Sequence, residues 1–425
     1  MRSQPSREEV GSARSLERRY REVRDTSLDL AKPLSPEDCA LQSMPDASPV
    51  KWHLAHTTWF FETFVLEGHA TGYRHFHDSF RVLYNSYYNA VGDQHPRAER
   101  GLISRPALPD ILAYRAHVDR SMAALLERDD LPEAAASVVE LGLHHEQQHQ
   151  ELILMDVKHL VSLNPLRPAY RSATKQPDLS GTQPLRWQAY EEGIRWIGDR
   201  GEGFAFDNER PRHRAFLPAF ELGSRLVTNQ EFLAFVEDGG YERPDLWLAD
   251  GFATVKGKGW TSPLYWEKSD GAWHEFTLAG LEPLLGNRPV CHVSYYEADA
   301  YARWAGARLP TEAEHEAAAS EVPVEGNFLE EGALHPCPAP PDGRAQAPAQ
   351  LFGDVWEWTQ SSYAPYPGFR PATGALGEYN GKFMVSQMVL RGGACATPRS
   401  HIRPTYRNFF YPHMRWQFAG LRLAR

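Results

Sequence analysis

Residues 143–151 read Leu-His-His-Glu-Gln-Gln-His-Gln-Glu, and two of the three histidines carry the spacing of metal ligands. His145 and His149 stand four residues apart. On a helix that spacing sends both imidazoles to one face, within reach of a single ion. The surrounding stretch, residues 134–163, favours a helix because it is rich in Ala, Leu, Glu and Gln and holds no proline.

The third ligand decides the chemistry. His145-Glu146-Gln147-Gln148-His149 satisfies H-E-x-x-H, in which two histidines hold zinc and the glutamate acts as general base. No peptidase-like continuation follows Glu151. Upstream, Val50 to Glu62 (VKWHLAHTTWFFE) predicts a second amphipathic helix, with His53 and His56 three apart on roughly one face. A three-histidine site drawn from two helices of a bundle is therefore expected. Imidazole suits zinc and iron alike, so ligand type leaves the metal open.

Such a site needs a rigid frame, and the first half of the chain supplies one. Helices are expected over residues 13–30, over 52–66 behind Ser48-Pro49, over 108–127 behind Leu108-Pro109-Asp110, and over 134–163. Four helices joined mostly by short loops predict an up-down bundle. The excursion from Gly68 to Pro106 is too long for a plain connection and carries Tyr84-Asn85-Ser86-Tyr87-Tyr88-Asn89, which marks it as functional. After Pro165 the texture changes. A Pro/Gly/Arg/Ser-rich stretch reads as a linker over 166–184, separating a bundle over 1–165 from a second domain over 185–425. There, short apolar runs (193–198, 216–222, 290–293) alternate with Gly, Pro and Asn. One clear helix spans 295–305, and Thr311 with Glu314 forms a capping box for the next. The 12 Trp, 18 Tyr and 20 Phe, concentrated after residue 180, predict a loop-rich domain pinned by large side chains.

With 425 residues, 42% hydrophobic and 24% charged, the chain has the composition of a soluble globular protein of two or three domains. A net charge of −10 argues against a nucleic-acid partner. No window approaches the ~20 apolar residues of a membrane span. Cys39, Cys291, Cys337 and Cys395 have no metal spacing, and residues 1–26 contain no apolar run. Reduced thiols and a cytoplasmic location are expected.

Several phrases of the second domain occur in a telling order: Val227-Thr228-Asn229-Gln230-Glu231-Phe232, Ala307 to Glu314 (ARLPTEAE), Gly353-Asp354-Val355-Trp356-Glu357-Trp358-Thr359, Leu390-Arg391-Gly392-Gly393 and Gly420-Leu421-Arg422-Leu423-Ala424. Together they resemble the formylglycine-generating-enzyme (sulfatase-modifying factor) fold, a loop-rich C-type-lectin-like domain. The first domain resembles the DinB-like metal-binding bundle. The pairing is similar to the ergothioneine-biosynthetic sulfoxide synthases over most of residues 35–425, which implies an α+β protein. His315 departs from the pattern, where a Trp usually follows the capping-box Glu, and a local packing change is expected. Cys291, Cys337 and Cys395 lack the copper-binding cysteine pair of formylglycine generation, which weakens that activity. Trp356, Trp358 and Arg391 read as fold maintenance.

The resemblance implies Fe(II) held by His56, His145 and His149, with His53 and His144 as packing or outer-shell residues. It implies that L-cysteine, hercynine (Nα-trimethylhistidine) and dioxygen give hercynylcysteine sulfoxide, with Tyr87 or Tyr88 as the hydrogen donor. Gln148 then binds hercynine. Asn408, Phe409 and Phe410 fall where family members contact the trimethylammonium group and the thiol, and aromatic faces suit a quaternary cation. Branches that use γ-glutamylcysteine place an acidic residue where Phe410 stands, so free cysteine is the expected thiol, with Arg97 meeting its carboxylate. The rival classes are γ-glutamylcysteine as thiol, a zinc peptidase, and a DinB-type module that binds metal without turnover.

Overall fold

The computed structural model describes residues 7–172, 184–340 and 347–425, so the expected linker over 166–184 falls mostly outside the described residues. The chain separates into two compact units. One comprises Met1–Leu163 with Thr373–Tyr379, the other Asn164–Ala372 with Asn380–Arg425. A short late segment thus joins the first unit, although the sequence reading assigns it to the second domain.

The first unit is built on four helices, α1 (Arg7–Ala31), α2 (Val50–Phe61), α3 (Leu108–Leu126) and α4 (Glu133–Ser162). Pro49 and Pro132 occupy the N-cap positions of α2 and α4. Pro109 lies in the first turn of α3, where its missing N–H costs nothing. Helix α2 corrects one expectation: it is buried over its whole length rather than amphipathic. The reason is its place in the bundle, packed against α1, α3 and α4, so it has no solvent face. At its end the helix widens into a π turn over Glu62–Leu66. There the Glu62 carboxylate accepts the hydroxyls of Tyr73 at 2.6 Å and Tyr114 at 2.5 Å. Single π turns frequently accompany functional sites.

The second unit is loop-rich with small sheets. Strand β1 (Trp187–Tyr190) pairs antiparallel with β4 (Phe220–Gly223), β2 (Gly193–Ile197) with β3 (His213–Leu217), and β5 (Trp266–Ser269), β6 (Ala272–Thr277) and β7 (Gly280–Pro283) form a meander. Four strands, β8 (Trp356–Ser362), β9 (Met388–Arg391), β10 (Asn408–Phe410) and β11 (Ala419–Gly420), align in the order β10-β9-β8-β11. Helices α5 (Asn229–Glu237), α6 (Ala249–Lys258), α7 (Tyr295–Trp304) and α8 (Glu312–Ala319) complete it. The apolar run 216–222 divides at Pro218 into two strands, because proline lacks a ladder donor. Residues 290–293 are buried but carry no strand.

Residues of the phrases that carry the resemblance lie in the core, among them Val227, Leu309, Val355, Arg391 and Leu421. Trp356 and Trp358 are buried, and the Trp358 indole donates to the Val293 carbonyl at 2.9 Å. His315, the departure from pattern, is fully buried with Nε2 3.6 Å from the Glu357 carboxylate. The molecule is α+β, a helical bundle followed by a sheet-containing domain.

Candidate metal centre

His56 from α2 and His145 and His149 from α4 converge, each offering one ligand atom, with these atoms within 4.8 Å of one another. His56 Nε2 and His145 Nε2 lie 3.2 Å apart. Two nitrogens each about 2.1 Å from one ion are separated by roughly 3.0 Å at right angles and 3.4 Å at a tetrahedral angle. The observed spacing fits.

Charge and tautomer fit as well. Burial, reinforced by the neighbouring imidazoles, holds His56 and His149 well below the usual histidine range, and burial brings His145 down to about 3. All three are therefore neutral near pH 7, the form that binds a metal. His56 Nδ1 lies 2.6 Å from the Tyr84 carbonyl, which can only accept, so the proton sits on Nδ1 and the Nε2 lone pair is free. His145 Nδ1 has no hydrogen-bond partner among the described residues. Trp52 stacks on His56 at 4.6 Å and Phe60 tilts against His145 at 4.8 Å, so the surroundings are apolar. The donor set is three neutral nitrogens, and it can hold a metal.

His53 is not one of the three. Its Nδ1 faces His149 Nδ1 at 2.8 Å and its Nε2 faces Asp156 at 3.1 Å. His144 is buried beside the site without joining it.

Glu146 is unavailable as a general base. Its carboxylate takes Arg24 at 2.9 Å and Ser27 at 2.6 Å, and pairs closely with Arg115. Burial pushes its pKa up, but the guanidiniums of Arg115 and Arg24 outweigh that and hold it at about 2. A base so saturated cannot take a proton at neutral pH, which removes the structural basis of the peptidase reading.

The other expected site residues divide. Gln148, between the two ligands of α4, accepts the Tyr379 hydroxyl, and the Tyr379 ring lies 5.8 Å from that of His145. Tyr87 and Tyr88 stack at 4.7 Å, and Tyr88 packs on Trp59, itself stacked on His56. Burial raises both phenols above their ordinary range and keeps their protons on. Glu378 accepts the backbone N–H groups of Asn89 at 3.1 Å and Ala90 at 2.8 Å, so the segment carrying Tyr379 also grips the tyrosine loop. Sequence reading missed Tyr379 and Glu378, since nothing in their local pattern points to residues more than two hundred positions away.

Arg97 is exposed and donates to the Asp46 carbonyl. Three residues on, Arg100 is buried, 3.4 Å over the Trp52 ring, bonded to Ser48 Oγ at 2.9 Å, with no carboxylate in hydrogen-bond contact among the described residues. Burial, then Arg97, lowers its pKa to about 9. The nearby Asp156 carboxylate offsets that only in part, so this buried cation can take a further anion. In the second unit, Asn408, Phe409 and Phe410 form β10, with Phe409 stacked on Tyr363 at 4.1 Å and Phe410 edge-on to Trp416 at 5.8 Å.

Comparison with known proteins gives concordant matches. Residues 19–153 match the DinB superfamily, and residues 191–337 with 348–425 match the sulfatase-modifying factor enzyme 1-like domain. The chain is 34% identical over 412 residues to the hercynine oxygenase of Mycolicibacterium thermoresistibile, covering 89% of this chain and 88% of that protein. It is 34% identical over 402 residues to that of Mycobacterium tuberculosis, covering 89% and 91%. A formylglycine-generating enzyme of Streptomyces coelicolor is 32% identical over 249 residues, covering 47% of this chain and 74% of that enzyme.

Proposed function

The chain belongs to the hercynine oxygenase family and is an oxidoreductase, and we propose that it joins L-cysteine to hercynine with dioxygen, using Fe(II) held by His56, His145 and His149. The reaction breaks the imidazole C–H and the cysteine S–H, forms a C–S bond, and places one oxygen atom on sulfur as sulfoxide. The other oxygen leaves as water, and hercynylcysteine sulfoxide goes on toward ergothioneine. The observation that carries this reading is the neutral three-histidine cluster on a chain aligned over most of its length with hercynine oxygenases.

Iron held by these three histidines would supply the redox chemistry, which zinc cannot. The chain's own residues bind, orient and donate. Gln148 meets the hercynine imidazole from between the two ligands of α4. The cysteine carboxylate goes to the Arg97–Arg100 pair, in which Arg100 is the desolvated member and so contributes most. The hydrogen donor belongs to the cluster of Tyr87, Tyr88 and Tyr379, in which the Tyr379 hydroxyl donates to Gln148, the Tyr88 ring packs on Trp59 and the Tyr87 ring meets that of Tyr379. On the family resemblance we assign Asn408, Phe409 and Phe410 to substrate binding, where Phe410 would disfavour a glutamyl ammonium because it offers a ring in place of a carboxylate. Four cysteines in 425 residues, with no dense framework, suit a reducing cytoplasm.

Anaerobic reconstitution with Fe(II), then addition of dioxygen, hercynine and equal concentrations of L-cysteine and γ-glutamylcysteine, tests the proposal by product mass. Hercynylcysteine sulfoxide should dominate. A predominant glutamyl adduct would reverse the thiol assignment, and loss of neither substrate would refute the reaction. Phe at Tyr87, Tyr88 or Tyr379 should divert product toward cysteine sulfinic acid where the replaced hydroxyl is the donor.

A further inference from the structure

Each helix of the metal centre places a second acid–base group on the stripe that carries its ligand. On α2, His53 precedes His56 by three residues, and on α4, Asp156 follows His149 by seven, about two turns. These side chains meet between the helices: Asp156 Oδ2 is 3.1 Å from His53 Nε2, and His53 Nδ1 is 2.8 Å from His149 Nδ1. The three are nearly inaccessible, at 5%, 2% and 9% exposure.

We infer that Asp156 and His53 form a positioning relay that fixes the tautomer and orientation of His149. This rests on the metal-site reading above. A carboxylate only accepts, and Asp156 Oδ2 already accepts the Ser48 N–H at 2.8 Å, so His53 Nε2 carries a proton. Neutral His53 then presents a lone pair at Nδ1, and His149 must donate its own Nδ1–H to it. The proton of His149 is thereby held on Nδ1 and the lone pair on Nε2, pointing away from His53. The anchor is itself braced, because Ser48 Oγ accepts from Arg100 at 2.9 Å. His56 is set by a carbonyl and His149 by this relay, so two ligands on opposite helices are oriented by separate acceptors. His53 is therefore a positioning residue, and its loss should affect the metal without removing a ligand.

The test uses the full chain, freed of metal anaerobically and titrated with Co(II), whose visible spectrum reports binding. His53→Ala and Asp156→Asn should bind about 10–100-fold more weakly than the parent. His53→Gln should recover most of the affinity, because its amide carbonyl can accept the His149 Nδ1–H. Nitrogen-15 NMR of the metal-free parent should show His149 protonated at Nδ1. In Asp156→Asn the amide can turn an N–H toward His53, reversing the relay and moving the His149 proton to Nε2. Affinities of His53→Ala and Asp156→Asn within twofold of the parent would overturn the relay. So would a parent His149 protonated at Nε2, a result that needs no variant to fold. Failure of the parent to bind Co(II) would instead remove the metal site, and the relay with it.

Discussion

Buried polar groups are treated in opposite ways at the centre of the bundle and in the core of the second unit. In the second unit two buried arginines are multiply paired, although Arg391 Nε and both ring nitrogens of His315 have no hydrogen-bond partner among the described residues. Arg391, fully buried, donates to Glu312 at 2.9 Å, to the Tyr366 hydroxyl at 2.9 Å and to the Pro404 carbonyl at 3.1 Å, and pairs with Glu316 at 2.9 Å. Arg422 takes both oxygens of Glu357 and three backbone carbonyls. Each guanidinium ties loops that have little ladder of their own, which is how a sheet-poor unit acquires a fixed shape. In the bundle, the histidines are stripped of charge and turn ring nitrogens toward one another with no carboxylate or guanidinium among the three. The bundle uses the arginine pairing too, but one residue aside, where Arg24 and Arg115 lock Glu146. Multiple ion pairs to buried arginines hold the fold, and a cluster of neutral imidazoles that could share one ion marks the site.

The largest effect should come from the imidazole cluster. His56→Ala, His145→Ala and His149→Ala should each abolish stoichiometric iron and lower kcat/KM by more than the roughly 100-fold that outer-shell partners control. The unfolding temperature of the metal-free protein should change little, since truncation removes no paired charge. Metal analysis, steady-state kinetics and calorimetry check the three parts. An iron content near one per chain in any of these variants would contradict the ligand assignment.

The arginine network should respond in the opposite sense. Arg422→Met leaves Glu357 buried beside His315 without its cation, at a cost of about 3–5 kcal/mol. For a unit of this size that is a fall in Tm of roughly 10 °C. Iron per folded chain should be unaltered. The double variant Arg422→Met/Glu357→Leu should regain part of the stability, because it removes the stranded charge as well. An unchanged Tm in Arg422→Met would show that the arginine network is not what holds the unit, and would break the comparison.

The same distinction explains how much could be read from the chain. Periodicity and caps are local, so α3, α4 and α7 end within a residue or two of their expected limits, and Thr311 caps α8 as its motif foretold. The His145–His149 spacing is local too. The partners that decide what each group does are not local. Arg24 lies 122 residues before Glu146, and Tyr379 lies 231 residues after Gln148. An H-E-x-x-H string reads identically whether its glutamate faces a metal or two arginines. Arg97 and Arg100 are equally basic on paper, and only burial against Trp52 separates them. Helix α2 looked amphipathic because histidine, lysine and threonine count as polar, yet the bundle covers them all.

The smallest effect is expected at the helix caps of the second unit, which repeat one arrangement three times. Thr228, Ser294 and Thr311 each accept the N–H of a glutamate three residues on, and each glutamate, Glu231, Glu297 and Glu314, is held in turn by Arg225, Arg415 and Arg308. Replacing the cap by alanine removes one acceptor and leaves the ion pair. At Thr311 the Glu314 carboxylate still accepts the Thr311 N–H at 2.7 Å and Arg308 at 2.7 Å, so Thr311→Ala should cost only about 0.5–1 kcal/mol. Ser294 is fully buried and its hydroxyl also donates to Glu297 at 2.7 Å, so Ser294→Ala should cost more, near 2 kcal/mol. Neither should change iron content or product identity. Denaturant unfolding of the two variants sharpens the contrast between the units. If Thr311→Ala were the more damaging, burial would not be what sets the cost of an unmade bond in this core. If either variant lost iron, the two kinds of polar cluster would not be separable as argued.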